Sequence, residues 1–128
     1  MRLDRGEEVV EVLTSFAIQK KIAAGVLQGI GAIKNVTLGY FDTTAGRYRK
    51  RRIAKTVEVI SLTGNLSYFE GKTVIHAHVA VAGPDYRLLG GHLFSATVAV
   101  TLEIFIRVFP RRLNRKHDPA VGFNFWDL

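Results

Sequence analysis

Residues 97–108 alternate without interruption: Val98, Val100, Leu102, Ile104, Ile106 and Val108 fall on one side, and Thr97, Ala99, Thr101, Glu103, Phe105 and Arg107 on the other. A period of two belongs to a β-strand, whose successive Cβ atoms point to opposite faces. So long a strand leaves a row of backbone donors and acceptors unpaired unless neighbours flank it, so the chain must build a sheet with one face in the core. Pro110 stops the run because its ring removes an N–H from the ladder.

Shorter segments obey the same rule. Val36–Phe41 reads as a strand, Asp42–Gly46 as its turn, and the basic stretch that follows as the returning partner. Val57–Ser67, a turn at Tyr68–Lys72, a strand over Thr73–Ala82, a turn at Gly83–Asp85 and a strand running toward Gly90–Gly91 continue the series. Ahead of them Ala24–Gly31 is small and glycine-rich, and Met1–Asp4 fits a short strand. One segment has the helical period: Val9, Val10, Leu13, Phe16 and Ala17 share a face. Glu7, Glu8 and Glu11 crowd its start and Lys20 and Lys21 its end, the order that the helix dipole favours. The pattern predicts one amphipathic helix over about residues 6–20.

Composition narrows the function classes. A chain of 128 residues, 48% of them hydrophobic, suits one domain with a real core and argues against disorder. With no Cys, disulfide scaffolds, thiol nucleophiles, Cys-based zinc ribbons and iron–sulfur clusters are excluded. No apolar run approaches the ~20 residues of a membrane helix, and the charged start is unlike a signal peptide. The expectation is a soluble, cytoplasmic domain with no membrane contact. Val121, Phe123, Phe125 and Trp126 in the tail are too apolar to leave in water, so the tail should pack on its own domain or across a subunit boundary.

The net charge of +7 is unevenly placed. Arg47, Arg49, Lys50, Arg51, Arg52 and Lys55 form one acid-free stretch, and Arg107, Arg111, Arg112, Arg115 and Lys116 another. Such stretches attract a polyanion such as DNA or an acidic subunit surface; equally, they blunt the edge of a sheet against aggregation. As a nucleic-acid interface the candidate residues are Arg47, Arg49, Lys50, Arg51 and Arg52 with Arg111, Arg112, Arg115 and Lys116.

Several motifs dissolve on inspection. Gly71-Lys72-Thr73 mimics the end of a phosphate-binding loop, but Leu66 stands where its first glycine belongs and a strand follows. Gly29-Ile30-Gly31 lacks its third glycine, which would be Lys34. Ser95, near His92, has no Gly-x-Ser-x-Gly elbow around it.

The histidines carry more. His76 and His78 are two apart in an alternating strand, so they share a face with about 6–7 Å between them. That face also holds Val74, Ala80 and Ala82, while the bulkier Ile75, Val79 and Val81 turn toward the core. His92, just after Gly90-Gly91, returns toward the pair through the Gly83-Pro84-Asp85 turn. Three converging imidazoles make a first set of ligands for zinc or a similar ion, with a fourth position open. The alternatives are hydrogen-bonded sheet histidines or a histidine cluster at an interface. His117, in the basic tail, reads as a surface residue. Of the acids in strand positions, Glu103 lies on the solvent or interface face, whereas Glu58, within an apolar run, needs an Arg or His partner if buried.

In order and spacing, Gly25-Val-Leu-Gln-Gly-Ile-Gly-Ala32, Val36-Thr-Leu-Gly-Tyr-Phe41, Lys55-Thr-Val-Glu-Val-Ile-Ser-Leu-Thr-Gly-Asn65, His76-Ala-His78 and Gly90-Gly-His-Leu93 resemble the plants-and-prokaryotes-conserved (PPC) domain. The resemblance covers nearly the whole chain and implies an α+β fold: one long N-terminal helix on a mixed, mostly antiparallel β-sheet, assembled as a homotrimer. It places a PPC-like domain at residues 1–109 and leaves 110–128 as a basic and aromatic tail. Plant members carry an Arg-Gly-Arg-Pro AT-hook, which this sequence lacks. Where they have Gly-Arg-Phe-Glu-Ile-Leu for partner contacts, this chain has Lys55-Thr-Val-Glu-Val-Ile60. The His-x-His and Gly-Gly-His-Leu motifs resemble the prokaryotic branch, which implies zinc at His76, His78 and His92. The function expected is a non-enzymatic, DNA-associated or regulatory scaffold. The alternative is a zinc-dependent hydrolase or lyase acting on a small molecule, with Glu58 as candidate base; a third is a module that binds a small molecule or protein between subunits.

Overall fold

In the computed structural model, which describes residues 1–128, the alternating run of residues 97–108 is the second half of a much longer strand. In chain order the elements are β1 (Arg2–Asp4), α1 (Val9–Gln19), β2 (Gly25–Asp42), β3 (Arg47–Ile53), β4 (Val57–Phe69), β5 (Lys72–Ala82), β6 (Leu88–Val108), β7 (Arg115–Asp118) and β8 (Phe123–Trp126). β1 to β6 form one sheet in the order β1-β6-β5-β4-β2-β3, and a further β6–β2 ladder closes the ring β6-β5-β4-β2. Every ladder is antiparallel. Closure follows from length: at 18 and 21 residues, β2 and β6 can each pair with different neighbours at their two ends. Closing the sheet satisfies backbone groups that an open edge would leave bare.

The expectation of an α+β fold with a long helix on a mixed sheet is overturned. The molecule is overwhelmingly β, and its one helix has 11 residues, roughly 16 Å. The predicted first turn is held by β6 instead. Gly6 N–H donates to Val98 O, Val98 N–H to Glu7 O, and the Glu8 carboxylate accepts from Ala96 N–H at 2.9 Å. The other Glu8 oxygen accepts from Glu11 N–H at 2.6 Å and caps the helix there. At the far end Lys21, at φ 53°, leaves helical geometry. The acids that suggested an earlier start thus tie the chain to the sheet. Nor does the single chain show the threefold assembly that the resemblance implied.

The core joins Val9, Leu13 and Ala17 of α1 to Leu27, Ile33, Leu62, Leu66, Val79, Val98 and Leu102 of the sheet. Each fully buried Val, Leu or Ile side chain among them contributes about 1.5–3 kcal/mol. The alternation of β6 fails at its end, where Val108 is half-exposed, and at one point in its middle. Between Gly31↔Leu102 and Ile33↔Val98 the β2 ladder skips two extra residues of β6, and Val100, expected inside, is 66% exposed. Gly31, at φ 151°, is where β2 turns past this bulge, and a Cβ there would collide with the Thr101 carbonyl. The outer face of the sheet carries Ile30, Ile60 and Phe105 in the open.

The tail returns to its own chain. Phe109 N–H donates to Ala24 O, Leu113 N–H to Ala23 O and Tyr68 N–H to Leu113 O, after which β7 and β8 form a small hairpin. Phe123 stands 5.6 Å from Phe41, centroid to centroid. No helix is long and apolar enough to cross a membrane.

Candidate metal centre

The β5–β6 hairpin begins with Ala82 opposite Leu88, so each step back along β5 is matched by one forward along β6, and His92 arrives opposite His78. His76 lies one alternation further along the same face of β5, opposite Asn65 of β4. The ring centroids are 5.3 Å apart for His76 and His78, 5.1 Å for His76 and His92, and 5.5 Å for His78 and His92. One nitrogen from each ring lies within 4.8 Å of the others. Gly91 makes the approach of β2 behind this cluster possible, because a Cβ there would sit 2.6 Å from the Gly39 carbonyl oxygen.

His76 and His92 are half-buried and His78 is exposed. The Nε2 of His76 and the Nδ1 of His92 are buried without a hydrogen-bond partner. A buried polar atom left unpaired costs about 1–3 kcal/mol, so two in one cluster are an energetic burden that a ligand to these nitrogens would relieve. Burial, reinforced by His76, His78 and Lys50, pulls the His92 imidazole down to about 4. Burial, then Arg115 and His78, also lowers His76. Both rings are therefore neutral at physiological pH, the state in which imidazole donates a lone pair to a metal. The donor set fits zinc or another borderline divalent ion, with a coordination position left open.

Aromatic rings wall the cluster. Phe94 lies 4.7 Å and Tyr48 5.0 Å from the His92 ring, and Phe123 of the tail 6.3 Å from His76. A cavity of about 350 Å³ separates His76 and His92 from the tail hairpin, bounded by Arg115, His117 and Asn124 on the tail side. His117 Nδ1 shares a hydrogen bond of 2.9 Å with Asn124 Oδ1, so it serves the hairpin rather than the cluster.

Arg115 joins the tail to this face. Its Nε donates to Ser67 Oγ at 2.7 Å, one Nη to the Asn124 carbonyl at 2.7 Å, and the other Nη to Asn65 Oδ1 at 3.0 Å and His76 Nδ1 at 3.2 Å. A guanidinium only donates, so His76 accepts at Nδ1 and, when neutral, carries its proton on the inward-facing Nε2. Taking up an ion through Nε2 would release that proton or loosen the Arg115 contact. In the sequence Arg115 counts only among the basic tail candidates for a nucleic-acid contact; its turn toward His76 depends on residues 39 to 50 positions away and leaves no local signal.

The other candidate residues lie elsewhere. Glu58 is exposed and pairs in register with Ala82, four residues along β5 from His78, which is about 13 Å. Glu103 is exposed as well, opposite Ile30 and Arg2. Arg47, Arg49, Lys50, Arg51 and Arg52 all stand exposed on β3, the outermost strand. Arg49 pairs with Asp42, Arg52 donates to Asn35, and Lys50 lies 4.0 Å over the Phe94 ring. In the tail Arg111, Arg112 and Lys116 are exposed, with Arg112 4.3 Å over the Tyr68 ring and Lys116 paired with Asp127 at 2.8 Å.

The chain is similar to several known proteins. A "Bifunctional protein GlmU" from Synechococcus sp. (strain JA-3-3Ab) is 32% identical over 126 residues; the match covers 96% of this chain but 19% of that protein's length. A metal-containing protein of Archaeoglobus fulgidus, 32% identical, superposes with a TM-score of 0.90 over 98% of this chain and 89% of its own. A protein from Bacteroides thetaiotaomicron VPI-5482, provisionally described as DNA-binding, is 32% identical with a TM-score of 0.95 over 98% of this chain and 88% of its own. Residues 1–110 match the Plants and Prokaryotes Conserved (PCC) domain, and the chain belongs to that family.

Proposed function

We propose that the protein is a binding scaffold that holds one divalent ion, most simply zinc, on His76, His78 and His92. The observation that carries this is the pair of buried, unpartnered nitrogens on His76 and His92 beside the ring of His78. The metal-containing neighbour from Archaeoglobus fulgidus supports it. A bound zinc ion supplies Lewis acidity at its open position. The chain's own residues do the holding: Tyr48 and Phe94 fix the His92 ring, and Asn65 and Ser67 fix the guanidinium that meets His76. The exposed position of Glu58, well away from the cluster, favours binding over proton transfer at this centre.

The test is elemental analysis of untagged protein, stripped with chelator and reloaded with zinc. One ion per chain is expected, with melting raised by the equivalent of about 2.7 kcal/mol at a hundredfold excess over Kd. His76→Ala and His92→Ala should lose the ion, and Glu58→Ala should keep it. Protein that takes up no zinc and melts unchanged in its presence refutes the reading.

A second reading, association with DNA, is favoured by the five exposed cations of β3 and by the neighbour described as DNA-binding. Backbone contacts of this kind predict affinity that falls with salt at about −0.9 in log–log slope per phosphate neutralised. No shift of duplex DNA at low salt in a mobility assay removes it.

A further inference from the structure

Away from the histidines, a cleft of about 530 Å³ opens between the end of α1, the turn joining β4 to β5, and the segment leading into β7. Three cations from these three segments line it: Lys21, Lys72 and Arg112. No acidic residue lines it, and none of the three takes part in an ion pair. Convergent like charges without a counter-charge repel one another, an arrangement stabilised when an anion enters. Arg112 is already set in place, its guanidinium 4.3 Å over the Tyr68 ring. Lys21 follows the helix end in the left-handed region at φ 53°, its N–H bonded to Ile18 O, and its exposed side chain lines the cleft. The cleft is not purely polar. Ile18 is 60% exposed on its wall, a large apolar side chain that core packing does not use.

We propose that this cleft binds a small phosphorylated ligand bearing a flat or apolar group, of the nucleoside diphosphate class. The phosphates lie among Lys21, Lys72 and Arg112, with Thr73 as a hydroxyl donor, and the apolar part lies against Ile18 and Tyr68. A simple inorganic anion would leave the apolar wall unused, and an apolar ligand would leave the three cations unpaired. The cleft is lined by none of the histidines or β3 cations.

The test is calorimetric titration of the full chain with ADP at near-physiological salt. One ADP per chain is expected, displaced by inorganic pyrophosphate. Lys72→Gln and Arg112→Gln should each weaken binding about tenfold, with Lys21→Gln adding to them, whereas Arg51→Gln on β3 should not. All of these side chains are exposed, and unchanged melting temperatures confirm intact folding. No heat with millimolar ADP, binding indifferent to pyrophosphate, or wild-type affinity in the Lys72→Gln/Arg112→Gln double variant overturns the proposal. So does a result in which the double variant loses duplex DNA binding while ADP never binds, which makes the cleft a nucleic-acid contact.

Discussion

β3 and the tail are both short cationic segments, yet their side chains live in different surroundings. On β3 every cation is exposed on an edge strand: Arg49 pairs with Asp42, Arg52 donates to Asn35 and Lys50 lies over the Phe94 ring, all at the surface, while Arg47 and Arg51 make no such contact. In the tail, Arg115 turns inward and gives four hydrogen bonds to neutral partners, while Lys116 is neutralised by Asp127. A cation on an edge is available to a partner; a guanidinium whose donors are already taken is part of the structure. Partner inventory, not charge count, separates the two.

The strongest way to break this contrast is to remove the inward cation. Arg115→Met leaves the buried Ser67 hydroxyl and the half-buried Asn65 amide oxygen without their donor, at about 1–3 kcal/mol for each such group, so we expect a total loss of roughly 2–6 kcal/mol in urea unfolding. Arg115→Lys should recover part of it. Wild-type stability in Arg115→Met would mean that the tail cation is as dispensable as those of β3.

Next in size is a pH effect confined to the histidine face. His92 is pulled down to about 4 from an ordinary 6.5, and His76 is lowered too, so the unfolded chain binds more protons than the folded one between those values. Stability of the metal-free protein should be full above pH 6.5, fall as the pH drops, and level off near pH 4. His92→Gln should flatten much of that slope in denaturant melts taken across the range, whereas neutralising Arg51 should leave it intact.

The smallest expected change sharpens the comparison at its edges. Lys116→Gln removes an exposed ion pair and should shift unfolding by no more than about 1 kcal/mol. In the DNA titration it should leave the salt slope unaltered, while Arg51→Gln lowers the slope by about 0.9. Equal slopes for the two variants would put β3 and the tail on the same footing.

Much of the candidate site was legible before the fold was known. The alternation of residues 73–82 put His76 and His78 on one face, and a hairpin returning through Gly83-Pro84-Asp85 brought His92 beside them, because strand periodicity and short loops are local rules. The helix was legible in kind but not in extent, since Glu7 and Glu8 serve β6 as well as the helix. Val100 misled because a bulge depends on what the partner strand does.

Local patterning, then, determined from the sequence that this chain is built of long alternating strands and which histidines share a face; backbone geometry permits little else. The closure of β2 on β6, the docking of the tail and the turning of Arg115 toward His76 were decided only by tertiary structure. These are contacts between residues up to 90 positions apart, such as Ala23 and Leu113, whose energies depend on which surfaces meet after the chain has folded.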